Sequence, residues 1–433
     1  MRSYDWLLLA ALALTLLDLS GFSTGLSLGH VNTLFFAACL GKGVRAWTFS
    51  QDIERCRFDH ATYIIFSLVC ILTFLSLLPN VSFDTLYRGE LRWNGIWGNP
   101  NTYGTFAGLG LLLAAGLLWV WIRIAPENRK AMSCGTLEDW KRRSHIGRPE
   151  GPSHPGFRFP RSFRLKGSVV CCLASLWMVI ALLHSYSRGA WVATIVGGVY
   201  IGVGAGTLRL ARLPAWMRSN VRQLALLLLS AAVLAGYQLA DTNWSLAGRL
   251  FSILNINDFS WTNRIAAWFG AVEIVADFPI FGVGLDRVEL IYKEFYSIHR
   301  LAETGAIQRN DFLLMAAGCG LPATFSLLTY FAGCLLCTKD TRTEQPKVPK
   351  RIGQPQSALD LERFQLLCRG GAIFLILTFA LDGGLFELGT SAVFFMLLEL
   401  GRRDMILSSY YSHLSSALPR ICPSPIRTTC KPV

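Results

Sequence analysis

The chain has 433 residues, of which 52% are hydrophobic and only 16% are charged, and its mean hydropathy is +0.40. Because a typical soluble domain carries about 25% charged residues, this composition excludes an ordinary soluble protein. The formal net charge of +13 is expected of the basic cytoplasmic loops of a membrane protein, and we expect no nucleic-acid binding.

Apolar runs separated by charged segments divide the chain. A helix needs roughly 20 apolar residues to cross a bilayer, and only helices satisfy the backbone of such runs in lipid. The predicted spans are 5–24, 27–43, 61–79, 101–122, 167–185, 189–207, 223–240, 312–336, 370–386 and 387–401. The predicted fold is all-α: a polytopic membrane helix bundle of about 10–12 spans with one large, partly helical periplasmic loop.

Lysines and arginines gather in a few segments, namely 123–166, 208–222, 337–366 and 402–433. With ten spans these segments share one side of the membrane, and the positive-inside rule makes that side cytoplasmic. The expected organisation is an N-terminal bundle over 1–240 with a basic cytoplasmic loop at about 123–166, a periplasmic loop over 241–311 that carries the site, C-terminal helices over 312–401, and a basic cytoplasmic tail over 402–433.

The twelve cysteines lie in predicted spans or basic segments, and loop 241–311 contains none. No cluster of cysteines and histidines suggests a metal site. We therefore expect no disulfide framework, no bound metal and no other cofactor.

The stretch "RGELRWNGIWGNPNTYGTF", residues 88–106, faces outward before the fourth predicted span. It supplies Arg88, Arg92 and the amide of Asn101. Since "GNPN" is typical of a turn, this stretch either only starts a helix or contributes its polar side chains to a site.

The stretch "HSYSRGAW", residues 184–191, joins two apolar runs with almost no loop. Arg188 in this turn is either an interfacial arginine whose side chain reaches the headgroups or a functional residue. A hairpin this tight keeps the cation at membrane depth, where it needs a partner, and this favours function.

Loop 241–311 is rich in aromatic residues, which indicates a packed structure at the membrane interface. Residues 263–276 are predicted to be a helix that ends at Asp277 and Pro279, because apolar residues including Ile265 and Phe269 recur at helical spacing. Arg264 is predicted in its first turn, where the helix dipole disfavours a cation unless an anion binds. The alternative is a solvated surface arginine.

The stretch "IQRNDFLL" places Arg309, Asn310 and Asp311 at the lip of a long apolar run, with His299 and Glu303 just upstream. These residues either mark the end of a membrane helix or belong to a site, and His299 alone is more typical of a surface histidine. Asp382 and Glu387, near the outer ends of the last spans, are further candidates, and Glu387 alternatively pairs an arginine structurally.

Arginines, aromatic residues and possible proton acceptors are thus predicted together at the external membrane boundary. The planar guanidinium group matches phosphate oxygens, and a pyrophosphate attached to a lipid would sit at that depth. A carrier-lipid pyrophosphate that leaves while arginines stabilise its charge is a chemically coherent interpretation.

Over roughly 85–325 the chain resembles the O-antigen ligase/polymerase superfamily of membrane glycosyltransferases. The motifs that carry the resemblance are "GNPNTYGTF" at 98–106, "SRGAW" at 187–191, "NRIAAWFGAVEIVADFPIFGVGLDRV" at 263–288 and "RNDFLLMAAGCGLPA" at 309–323. Each motif is weak alone, but the last two form a fairly specific pair.

The resemblance implies transfer of a glycan from an undecaprenyl-pyrophosphate carrier to an acceptor hydroxyl of a lipid, glycan or protein. It places the reaction on the periplasmic face of the bacterial inner membrane, in cell-surface polysaccharide biosynthesis such as that of lipopolysaccharide, without nucleotide sugar or metal. It suggests Arg188 and Arg264 as pyrophosphate-binding residues. Arg88 is a further donor-binding candidate, with Asn101, Asn310 and Glu303 as supporting residues.

The chain departs from the family at one position. The family usually places a histidine about ten residues before the glycine of its last outer-loop motif, and this histidine is proposed to activate the acceptor. Here Arg309 takes its place, and arginine is not a general base at neutral pH.

Acceptor activation therefore stays open at this point. Either His299 folds back into the site, or Asp311 or Glu303 is the base, or Arg309 acts electrostatically, or this member has lost the activity. Two other functions remain as alternatives: a transporter or flippase of lipid-linked glycan, and a non-catalytic assembly protein.

Overall fold

A computed structural model describes residues 30–49, 54–78, 81–83, 91–133, 161–205, 259–297, 309–336 and 356–402. The predicted spans 5–24 and 223–240 lie outside these ranges, as do Arg88, His299 and Glu303. The helices are α1 His30–Phe49, α2 Glu54–Ser76, α3 Pro100–Ser133, α4 Arg161–Ser185, α5 Arg188–Gly204, α6 Phe259–Asp277, α7 Val288–Ile291, α8 Asp311–Cys319, α9 Leu321–Leu336, α10 Gln356–Leu381 and α11 Leu388–Gly401.

The all-α membrane bundle predicted from the sequence is confirmed. Within the described ranges, four helices contain segments long and apolar enough to span a membrane: Asp59–Ser76, Pro100–Trp121, Lys166–Ser185 and Asp360–Leu381. α9 and α11 are shorter apolar helices. The short strands β1 Val81–Phe83 and β2 Leu91–Trp93 pair antiparallel, with Ser82 opposite Arg92, in a region where the sequence predicted no strand.

The bundle core is centred on α3, which packs against α2, α4, α5 and α10, while α1 packs against α11. Small residues let these helices approach closely, as is usual between membrane helices. A Cβ added at Gly41 of α1 would lie 2.7 Å from the backbone carbonyl of Phe395, and one at Gly197 of α5 would lie 2.8 Å from Leu112.

A buried ion pair stabilises the end of the bundle that lies opposite the α4–α5 turn. Arg45 Nη1 of α1 donates to the backbone oxygen of Glu399 at 2.9 Å and lies 3.3 Å from its Oε2. The hydroxyl of Tyr330 in α9 donates to Glu399 Oε1. Because the Glu399 side chain is only 1% exposed, it needs such partners, and they join α1 and α9 to α11.

Two predicted spans differ most from the structure. The span predicted over 312–336 is two helices, α8 and α9, because Gly320 between them has a positive φ of 84°. The span predicted over 370–386 begins earlier, at Gln356, and ends at Leu381. The N-terminal part of this helix contains charged residues, and a prediction based on apolar runs therefore left it out. One of these residues, Asp360, pairs with Arg363 at 3.3 Å.

The outer-loop helix α6 also differs in detail. It begins at Phe259, so Arg264 is its sixth residue, and the prediction that Arg264 lies in the first turn is wrong. Part of the apolar face that identified the helix is exposed, with Phe269 at 69% and Val272 at 52%, while Ala267, Ala271 and Ile274 are fully buried. Two of these three buried residues are alanines, and their small side chains allow close helix approach.

Candidate functional site

The α4–α5 turn places Arg188 at the start of a helix. Tyr186 in this turn has a positive φ of 52°, which non-glycine residues rarely adopt. Ser187 caps α5, since its Oγ accepts the backbone N–H of Ala190 at 3.3 Å. Arg188 is therefore the first residue of α5, half-buried at the end of the bundle.

Asp382, in the loop between α10 and α11, connects this turn to the outer-loop helix. Its Oδ2 accepts the Ser187 hydroxyl at 3.1 Å, and its Oδ1 accepts Arg264 Nη2 at 2.7 Å. Arg264 Nη1 also donates to the backbone oxygen of Leu381 at 2.6 Å. Three segments that are distant in the sequence thus meet at a single carboxylate, whose side chain is 3% exposed.

The glycine of the "SRG" motif, Gly189, makes room for the side chain of Asp382. A Cβ added at Gly189 would collide with the carboxylate of Asp382. The motif therefore supplies a cap and hydrogen-bond donor at Ser187, a cation at Arg188 and space for Asp382 at Gly189.

Arg264 retains unused donor capacity. Its side chain is 11% exposed, and its Nε is buried without an acceptor in the described part of the chain. Trp261 and Trp268 lie on the same face of α6, and each has a buried ring N–H with no acceptor among the described residues. Since buried donors are rarely left unpaired, this face is suited to a ligand rich in acceptor oxygens.

Aromatic side chains of α6 pack beside the guanidinium group of Arg264. Its guanidinium carbon lies 5.9 Å from the centre of the Trp261 ring, within the range of a cation–π interaction. Trp261 and Trp268 meet edge to face with 6.3 Å between ring centres. The aromatic residues thus limit the orientations of the guanidinium group.

The pair of motifs around "DFPIFGVGL" and "GCGLP" forms one packed unit. Backbone hydrogen bonds join Val283 N–H to the Ala317 oxygen at 2.9 Å, and Leu321 N–H to the Pro279 oxygen at 2.8 Å. A Cβ at Gly320 would meet the Ile280 carbonyl, so the break between α8 and α9 receives the loop after α6. This contact fixes α6, and with it Arg264, against α8.

Asp311 begins α8 and is anchored rather than exposed. It is 2% exposed, and its Oδ2 accepts the backbone N–H of Leu385 at 2.7 Å. Burial raises the pKa of the Asp311 carboxyl well above its usual value, the Leu385 hydrogen bond opposes this shift, and the nearby Glu387 carboxylate adds to it. The preceding Asn310 caps α8 by accepting the Leu313 N–H at 3.1 Å.

Asn101 is connected to the site indirectly, through Arg92. Its Oδ1 accepts Arg92 Nη2 at 3.1 Å, and Arg92 also donates through Nε and Nη2 to the backbone oxygen of Ser185. The loop before α3 is thereby tied to the C-terminal end of α4, next to the α4–α5 turn. Arg92 satisfies a helix carbonyl, as a cation at a helix C-terminus commonly does.

The structure brings Arg188, Arg264 and Asp311 to the same end of the bundle, around the loop that contains Asp382. Arg309 is half-buried two residues before Asp311. Among the described residues no group of histidine, cysteine and acidic side chains is arranged to hold a metal ion. Among the described residues no arginine pairs with Glu387.

Sequence reasoning missed Ser187 and Gly189 and assigned no partner to Asp382. The signal that was available for Asp382 is an acid between two apolar spans, opposite arginines at the same membrane boundary. Ser187 and Gly189 are small residues in a turn, and nothing in their local sequence indicates a contact with a residue almost 200 positions away.

Residues 173–328 match a family model described as O-antigen ligase. The matched segment runs from α4 to α9 and contains Ser187, Arg188, Arg264 and Asp311. No curated protein and no solved structure matches the chain.

Proposed function

We propose that this chain, which belongs to the O-antigen ligase/polymerase superfamily, transfers a glycan from an undecaprenyl-pyrophosphate carrier to an acceptor hydroxyl. The observation that carries the proposal is the junction of the α5 N-terminus, Asp382 and Arg264. It gathers two arginines at one end of a membrane helix bundle, with the buried Arg264 Nε lacking an acceptor in the described structure.

Arg188 and Arg264 are proposed to hold the pyrophosphate. Arg264 has five N–H donors, and Asp382 and Leu381 each engage one of its two terminal nitrogens, so donors remain for phosphate oxygens. Arg188 adds a second charge in the first turn of α5, where the helix dipole also favours an anion. Asp382 is proposed to orient Arg264 and to keep the empty site from accumulating positive charge.

In the proposed reaction, the acceptor oxygen attacks the anomeric carbon of the glycan. The bond from that carbon to the phosphate oxygen breaks, and the electron pair leaves with the pyrophosphate. Two guanidinium groups stabilise the charge that develops on the leaving group, as fixed donors do in other group transfers. We therefore propose that the reaction needs no divalent metal and no nucleotide sugar.

The basic segments support a site on the periplasmic face of the bacterial inner membrane, because they are expected on the cytoplasmic side. The acceptor is a lipid, a glycan or a protein. Deletion of the gene separates these cases: accumulated lipid-linked long chains indicate a ligase, and single repeat units on the final acceptor indicate a polymerase.

The proposal is tested with the variants Arg188→Ala, Arg264→Ala and Arg264→Lys, expressed in a deletion strain. All three are expected to lose surface glycan while inserting normally, since lysine cannot reproduce the fork that contacts both Asp382 and a phosphate. Arg363→Ala is the matched control, because Arg363 lies in the first turns of α10, at the other end of that helix from Asp382.

Normal surface glycan in both alanine variants would contradict the proposed role of these arginines. Reconstituted vesicles distinguish the transporter alternative: a donor that crosses the bilayer without a new covalent linkage would favour transport over transfer. Glycan lost on gene deletion but restored by every arginine variant would favour a non-catalytic assembly role.

A further inference from the structure

The loop of residues 382–387 between α10 and α11 carries two carboxylates in contrasting surroundings. The Asp382 carboxylate is buried and accepts hydrogen bonds from Arg264 and Ser187. Glu387, five residues later, is exposed. The loop is held in place between them, since the N–H of Glu387 donates to the Gly384 oxygen at 3.2 Å and Asp311 accepts the Leu385 N–H.

The Glu387 side chain is not used for structure. Glu387 is the N-cap residue of α11, but its carboxylate makes no capping hydrogen bond, and no described residue pairs with it. The adjacent Phe386 packs against the small core formed by α6 and α8, which fixes the backbone position of Glu387. The Glu387 side chain itself reaches the surface of the protein.

The other candidate bases among the described residues near this loop are less suitable. Asp311 is 2% exposed and bonded to a backbone N–H, so it has no access to an acceptor hydroxyl. Arg309 cannot accept a proton from a hydroxyl. On the outer-loop unit, Asp277 accepts the Tyr296 hydroxyl at 2.5 Å, and Glu289 pairs with Lys293 at 2.7 Å.

Glu387 also lies at the same end of the bundle as the proposed donor-binding arginines, since Asp382 of its loop binds Arg264. It is on the loop that orients Arg264 through Asp382, and its charge acts on the Asp311 carboxyl. By contrast, Glu273 of α6 lies nine residues beyond Arg264, which is about 14 Å along the helix. The loop therefore combines a residue that positions the donor-binding arginine with an exposed, uncommitted proton acceptor.

We propose that Glu387 is the general base of the transfer, in the role for which this chain lacks the expected histidine. This inference rests on the proposed glycan transfer. As the acceptor oxygen bonds to the anomeric carbon, its proton passes to the Glu387 carboxylate, and the pyrophosphate leaves with the electrons of the broken carbon–oxygen bond. A positioned base of this kind contributes about 10²–10⁴-fold to a rate.

The experiment uses the full chain in proteoliposomes. The donor is lipid-linked glycan extracted from a strain that lacks this gene, and membranes of the same strain supply the acceptor. Glu387→Gln and Glu387→Ala are expected to lower transfer to the acceptor by about 10²-fold or more, and Glu387→Asp by less. Glu294→Gln, which changes another exposed glutamate, is the matched control and is expected to behave like the wild type.

Sodium azide distinguishes a base from a structural residue. Azide carries no proton to remove, so its attack on the anomeric carbon does not need Glu387. With azide, Glu387→Ala is expected to form glycosyl azide and release the carrier pyrophosphate, although it transfers little glycan to the hydroxyl acceptor.

The inference is overturned if Glu387→Gln keeps transfer within a few-fold of the wild type, or if Glu387→Ala turns over no donor with azide. The second outcome would assign Glu387 a structural role. A wild-type chain that converts no donor would contradict the proposed function itself, together with this inference. Wild-type transfer combined with unaffected Glu387 variants would leave the function standing and remove only the base.

Discussion

Asp382 lies against the backbone of Gly189, at the point where a side chain on residue 189 would have to be. The same carboxylate accepts the hydroxyl of Ser187 and the guanidinium group of Arg264. The start of α5 and the outer-loop helix α6 are thus aligned through one buried acid. The relative position of the two proposed donor-binding arginines consequently depends on the space that Gly189 leaves for the Asp382 carboxylate.

Gly189→Ala is expected to reduce glycan transfer by at least about tenfold, because the added methyl group displaces the Asp382 carboxylate and with it Arg264. Membrane insertion should be retained. The measurement is surface glycan per inserted protein in a deletion strain. Gly198→Ala, on the same helix, is the control: its Cβ would make only an ordinary contact of 3.7 Å with Leu112. Equal activity of the two variants would contradict the role of Gly189.

Asp311 is expected to matter for stability rather than for proton transfer. Asp311→Ala leaves the buried Leu385 N–H without its acceptor, which costs about 1–3 kcal/mol, whereas Asp311→Asn keeps an oxygen in place. The expected result is a lower thermal midpoint in detergent for the alanine variant only. Transfer should persist in Asp311→Asn, and its complete loss in a stable protein would identify Asp311 as the base instead.

The same residue gives a pH dependence of defined sign. Because burial raises the pKa of Asp311 in the folded chain, the folded state binds this proton more tightly than the unfolded state. The resulting stabilisation is present below the unfolded value of about 3.9 and is lost as the pH rises through the folded value. The thermal midpoint of Asp311→Asn should therefore increase relative to that of the wild type as the pH rises. A difference between the two midpoints that does not change with pH would contradict this account.

Gly320→Ala is expected to loosen the outer-loop unit. The residue has a φ of 84° and faces the Ile280 carbonyl, so alanine introduces backbone strain of about 1–3 kcal/mol together with a steric clash. The thermal midpoint should fall, and protease cleavage between α6 and α8 should increase. Gly333→Ala on α9 is the matched control, since its Cβ would meet nothing within 4 Å. Unchanged stability of Gly320→Ala would show that this contact is dispensable.

Much of the bundle could be predicted from local sequence. The helices that correspond to α3, α4 and α5 were expected within a few residues of their N-terminal limits or their turns, because hydropathy and turn residues act over short distances. Arg188 and Arg264 were identified as candidates for a similar reason, since a charge at the edge of an apolar run is visible without knowing its neighbours.

The errors came where tertiary contacts overrule local pattern. The long apolar run after Asp311 was expected to be one helix, but the loop after α6 packs into it and Gly320 breaks it. The large apolar residues of α6 suggested its packed face, whereas Phe269 is exposed and the fully buried apolar residues are Ala267, Ala271 and Ile274. Hydrophobicity alone does not distinguish a face that contacts lipid from a face that contacts protein.

The sequence by itself determined that this is a polytopic helical membrane protein, with candidate arginines at the edges of apolar runs and with Arg309 where the family that it resembles usually has a histidine. Only the tertiary structure decided that Asp382 joins Ser187 to Arg264, that Asp311 is enclosed and that Glu387 is exposed. The physical reason is range: helix formation depends on neighbours within a few residues, whereas the accessibility and the partner of a carboxylate depend on segments that meet only when the bundle is packed.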